Sequence, residues 1–137
     1  MALNVLVYSD DRSTREQVLL ALGHRPATDL EELQYLECAT APAVLKALDA
    51  HAKGIRRLDL LVLDGEATPV GGMGLGRQLK DEVYGCPPVL VLIGRPQDSW
   101  LAGWSRADAA IAAPVDPAAL AEAAVALLRS GRTHLVG

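Results

Sequence analysis

The chain has 137 residues, half of them hydrophobic and 22% charged, with a formal net charge of −4. That length suits one domain burying roughly two-thirds of its unfolded surface, and the composition fits a soluble globule rather than a disordered chain. The acidic balance argues against a nucleic-acid partner, no apolar run nears the roughly 18 residues of a membrane helix, and no secretory pattern opens the chain, so a cytoplasmic location is expected.

Residues 4–9 read as a first apolar strand running into Asp10 and Asp11. Ser13 and Glu16 have capping-box spacing, and Val18, Leu19 and Leu22 share a helical face that Gly23 closes. Residues 24–32 form the longest polar loop. A short strand at 34–38 follows, then Thr40 caps a helix with Val44, Leu45 and Leu48 inward and Gly54 at its end. Residues 58–63 are almost continuously apolar, as in a strand covered on both faces, and run into Asp64.

Gly71-Gly72-Met73-Gly74 is expected to be a mobile loop leading into a helix with Leu75, Leu79 and Val83, frayed at its start. It lacks the Gly-Lys-Ser/Thr ending of a phosphate loop. Residues 88–93 make a fourth buried strand, Trp100 and Trp104 lie one turn apart on a short helix, and 109–112 form a fifth strand. Asp116-Pro117 opens the last helix, with Leu120, Ala124, Leu127 and Leu128 inward. The core is expected over 4–129, with 130–137 a loose tail.

Five strand–helix units without repeat or linker predict a single α/β domain: a doubly wound, five-stranded parallel sheet with helices on both faces. Chemistry in such sheets gathers outside the carboxyl ends of the strands, so Asp10 and Asp64 are expected to share one mouth suited to Mg²⁺. Cys38 and Cys86 fall at opposite ends of parallel strands and read as packing residues, not as a disulfide or a zinc site. His24, His51 and His134 are too scattered to bind a metal.

The acid after the first strand, the aspartate after the third, the proline-glycine loop behind it and Ala113-Pro114 after the fifth together resemble a response-regulator receiver domain. This is the phosphorylatable half of bacterial two-component systems. The resemblance implies a flavodoxin-like strand order of 2-1-3-4-5. It implies Asp64 as phospho-acceptor, and Asp10, Asp64 and the backbone carbonyl of Glu66 as Mg²⁺ ligands. Ser9 falls where the family often has a second acid, and Asp11 suits a helix cap. Phosphoryl transfer to a carboxylate needs an in-line nucleophile and a cation to neutralise the developing charge, and this set supplies both.

Departures from the family pattern weaken the switch. Ile93 stands where a Ser or Thr hydroxyl is usual, Ala113 where a Lys is usual, and Ala110 at the aromatic switch position. Proline follows Asp64 by five residues instead of four. Moving a two-state equilibrium from 1:99 to 99:1 takes about 5.5 kcal/mol. A charge-assisted hydrogen bond contributes about 1.5–3 kcal/mol and a neutral one about 1. Without the Lys and the hydroxyl, phosphorylation loses much of its driving force, unless Arg95 or Arg106 substitutes in charge.

The expected protein is therefore a stand-alone, atypical receiver (a pseudo-receiver). It acts by protein–protein contact, is not an enzyme, and binds Mg²⁺ weakly at most. A signalling protein such as a histidine kinase is the implied partner, with homodimerisation left open. Trp100 and Trp104 are either its partner face or core plugs in a chain without Phe. The alternative is an aspartate-nucleophile, Mg²⁺-dependent phosphatase of the haloacid-dehalogenase type. Residues 61–68 resemble that family's first motif, with Glu66 as acid/base, but no lysine follows Lys80. A third reading, a flavodoxin-like domain that binds a small ligand, rests on fold alone.

Overall fold

The computed structural model describes the backbone of residues 2–136 and the side chains of residues 2–131. In chain order the elements are β1 (Leu3–Tyr8), α1 (Arg12–Leu22), β2 (Leu33–Cys38), α2 (Ala41–Ala52), β3 (Leu60–Asp64) and α3 (Gly72–Glu82). They continue as β4 (Val89–Ile93), a 3-10 turn (Pro96–Asp98), α4 (Ser99–Trp104), β5 (Ala109–Ala112) and α5 (Pro117–Val136). All strand pairs are parallel, in the order β2-β1-β3-β4-β5.

Successive side chains of a strand point to opposite faces, so the buried strands feed two cores. Leu6, Tyr8, Leu61, Leu63 and Val91 pack with Val44 and Leu48 of α2 and Leu75 and Leu79 of α3. Val5, Val7, Leu60, Val62 and Leu90 pack with Val18 and Leu22 of α1 and Leu120, Ala124 and Leu128 of α5. Every residue of β3 and β4 is buried, which is why these segments read as unbroken apolar runs. β5 lies at the edge and is only partly buried.

Five local expectations change. Asp11, not Ser13, is the N-cap of α1. Its carboxylate accepts from Ser13 N at 3.0 Å and Thr14 Oγ1 at 2.9 Å, while Glu16 pairs with Arg12 instead of closing a capping box. Of the glycines expected to form a mobile loop, Gly71 caps α3, and Gly72 and Gly74 lie within the helix, as does Gly76. A Cβ at Gly72 would lie 2.6 Å from the Asp64 carbonyl oxygen, and one at Gly76 would touch Leu63. These glycines bring the helix against the end of β3, which is close packing rather than mobility. Val83 caps that helix instead of lying within it.

β3 starts two residues later than expected, because Leu58 N donates to His51 Nδ1. α5 runs on to Val136, so the backbone expected to form a loose tail from Ser130 is helical, while Gly137 and the side chain of His134 lie outside the described residues. Cys38 and Cys86 are free thiols, and burial pushes both up from the usual thiol range.

Candidate functional site

β1 and β3 are neighbours, with Tyr8 opposite Leu63, so the residues that follow them meet at the carboxyl edge of the sheet. Ser9 is fully buried there. Its Oγ donates to Asp64 Oδ2 at 2.8 Å and accepts from Asp11 N at 3.0 Å. The other Asp64 oxygen accepts from Glu66 N at 2.9 Å. Asp64 is 8% exposed, and its carboxyl group accepts from two donors, a hydroxyl and an amide. Each oxygen keeps a lone pair for a further partner.

Asp10 is exposed, and Thr68 grips it from across the mouth. Thr68 N donates to Oδ1 at 3.2 Å and Thr68 Oγ1 to Oδ2 at 3.0 Å. The Thr68 hydroxyl and then its amide hold the Asp10 carboxyl below the usual carboxylate range, with a smaller contribution from Arg15. Arg15 itself donates to the Ser9 carbonyl at 2.7 Å and pairs with Glu37. Tyr8 lies buried beneath, its hydroxyl donating to the Val70 carbonyl at 2.6 Å. Burial, then the charges of Asp10 and Asp64, push the Tyr8 phenol up.

A cavity of about 830 Å³ opens at this edge, and Asp10, Asp64 and Glu66 all line it. The three predicted site residues therefore do come together. The Glu66 carboxylate lies over Gly94, in space that any side chain at Gly94 would fill. Ile93, at the end of β4, and Ala113, after β5, line the same cavity, whereas Ala110 is exposed on the edge strand. No Lys or Arg lines it among the described residues. Neither expected substitute cation lines it: Arg95 pairs with Asp98 and Arg106 with Asp81. Trp100 and Trp104 sit apart on α4, 70% and 48% exposed, so neither plugs the core.

For a divalent cation, two carboxylates and the Glu66 carbonyl would be the protein donors. Among the described residues no group of three His, Cys, Asp or Glu side chains forms a metal site. An all-oxygen set this small fits Mg²⁺, which is typically bound by one or two carboxylates and keeps several waters. Thr68 and Tyr8 were missed as site residues. Each acts across more than fifty positions of chain, and the local signals were Thr68 closing the phosphatase-like motif at 61–68 and standing before the proline of the acceptor loop.

No protein-family model matches the chain. Two curated sequences from strains of Mycobacterium tuberculosis, each an uncharacterized response regulatory protein, are 54% identical to it over 129 residues, covering 94% of this chain and 93% of theirs. The chain belongs to the response-regulator receiver family.

Solved structures agree on the fold. The CheY-like receiver domain protein of Methanospirillum hungatei superposes with a TM-score of 0.72 at 19% identity, covering 98% of this chain and 99% of that one. The response regulatory domain of mrkE from Klebsiella pneumoniae gives a TM-score of 0.75 at 13% identity, covering 96% and 99%. The strand order is that of the flavodoxin-like receiver fold. Among the described residues no helix is long and apolar enough to cross a membrane.

Proposed function

We propose that this receiver is atypical: it signals through protein–protein contact, and phosphorylation of Asp64 drives it weakly or not at all. The observation that carries the reading is the wall beside Asp64. Ile93 and Ala113 line the cavity, and no Lys or Arg joins them among the described residues. A phosphoryl group on Asp64 would find a cation held by Asp10, Asp64 and the Glu66 carbonyl, plus the Ser9 hydroxyl. It would find no side chain on β4 or β5 to pull. A ligand shifts an equilibrium only by its differential interaction with the two states, and that differential is small here.

Mg²⁺ is the cofactor of this reading, a histidine kinase or another signalling protein its partner, and the cytoplasm of a bacterial cell its place. The partner face is α4, where exposed Trp100 stands one turn from Trp104. Arg77 of α3 stacks on Trp104 at 4.9 Å from the ring centre and donates to its carbonyl at 2.7 Å, so that ring is presented in a fixed pose.

The test is incubation with Mg²⁺ and acetyl phosphate, followed by mass spectrometry for an acid-stable, base-labile adduct and by amide NMR. The expected result is little or no adduct, with shifts confined to the mouth. A long-lived stoichiometric adduct whose shifts spread to α4 would sink the reading. Sustained turnover of acetyl phosphate would instead favour the phosphatase, with Glu66 as its acid/base.

A further inference from the structure

The loop from Gly65 to Gly71 is pinned at both ends and exposed in the middle. At its start Gly65 N donates to the Leu92 carbonyl at 2.8 Å, Glu66 N to Asp64 Oδ1 at 2.9 Å, and Ala67 N to the Asp64 carbonyl at 3.1 Å. At its end the buried Tyr8 hydroxyl holds the Val70 carbonyl at 2.6 Å. Between these tethers stand exposed Thr68 and Pro69, and both donors of Thr68 go to Asp10, one to each carboxylate oxygen.

We propose that Thr68 is a latch on the cation site: its amide and hydroxyl hold Asp10 in the cation-free protein, and a divalent cation at Asp10 displaces them. The inference rests on reading Asp10 and Asp64 as that site. Mg²⁺ demands near-ideal octahedral geometry and dehydrates reluctantly. The two Thr68 bonds fix the Asp10 carboxylate in one orientation, and turning it to suit an octahedral cation breaks at least one of them. Because the loop is tethered at Ala67 and Val70, the release is confined to Thr68 and Pro69. The cation thereby gains a conformational output on the β1–β3 side, independent of Ile93, Ala110 and Ala113. Thr68 is a positioning residue in this scheme, setting how readily Asp10 accepts the cation.

The experiment is an Mg²⁺ titration of the full chain by calorimetry, with amide NMR in parallel. Thr68→Val keeps the side-chain shape and removes the hydroxyl. It is expected to tighten Mg²⁺ binding about threefold to tenfold, the factor a single net hydrogen bond supplies. Thr68→Ser restores the wild-type affinity, and the wild-type Thr68 amide resonance moves with the same midpoint as the binding heat. Weaker or unchanged binding by Thr68→Val, with wild type and Thr68→Ser still binding, overturns the latch and makes Thr68 an orienting group or a bystander. A Thr68 amide that stays put at saturation overturns it equally. Absence of Mg²⁺ binding by wild type and every variant removes the cation site itself, and the latch with it.

Discussion

On the β1–β3 side of the mouth, oxygens are bonded to one another. Ser9 holds Asp64, Glu66 N holds its second oxygen, and Thr68 holds Asp10. On the β4–β5 side the same cavity is walled by Ile93 and Ala113, which offer no side-chain donor. The first half has what is needed to place a nucleophilic carboxylate beside a cation. The second half offers neither the hydroxyl nor the ammonium with which the proposed reading would have a phosphoryl group engaged. On the reading proposed above, binding chemistry and transmission are separable in this fold, the first residing in the polar half and the second resting on the apolar one.

The largest expected effect comes from Asp64→Asn, which keeps the shape and removes the nucleophile. Any adduct formed from acetyl phosphate at this site should vanish, and an adduct that persists on the variant would place the chemistry elsewhere. Next in size is rebuilding the apolar half with Ile93→Thr and Ala113→Lys together. A charge-assisted bond and a neutral one add about 2.5–4 kcal/mol to the phosphoryl-bearing state, enough to shift its population by about two to three orders of magnitude. The readout is a rise in adduct, with NMR shifts now reaching α4. If the double variant responds no more than the parent, the asymmetry between the halves does not set the response.

Ser9→Ala attacks the polar half. It strands one oxygen of a carboxylate that is 8% exposed, and also the Asp11 amide at the start of α1. Removing one partner of a buried polar pair costs about 1–3 kcal/mol, which denaturant unfolding will show as a lower midpoint at unchanged slope. The smallest effect is on acid stability. The folded-state pKa of Asp10 is depressed, chiefly by the Thr68 hydroxyl and amide. The contribution of this pair to stability is therefore complete above the ordinary carboxylate pKa, and is lost as pH falls through the lower folded value. Carboxyl-detected NMR titration should show Asp10 ionised below the usual range in the wild type, and closer to that range in Thr68→Val.

The strands were legible because burial on both faces writes itself as an apolar run. Leu61, Val62, Leu63 and Val89, Leu90, Val91 could hardly be anything else in a chain of this length. Thr40 and Asp116 were legible as caps because a cap is a local bond, spanning three residues or fewer. The same logic offered two candidates for the first cap, of which Asp11 is the one used. Asp11 and Ser13 have the same capping chemistry, and where β1 stops decides between them. The convergence of Asp10 and Asp64 followed from two strands ending on acids, while the order of the strands came from family resemblance.

What the sequence by itself determined was every feature whose physics is local or periodic: alternating strands and helices, two apolar faces and acids at strand ends; the apolar residues at Ile93 and Ala113 gained meaning only from the family resemblance. What only the tertiary structure decided was what happens between distant segments. The spacing of Gly72 and Gly76 says nothing of the carbonyl and the leucine they abut. One helical turn between Trp100 and Trp104 fits a core or a surface equally well. The Thr68–Asp10 pair joins residues 58 positions apart. Contacts of this kind exist only once the backbone has folded back on itself, because loop closure brings together groups that no local pattern connects.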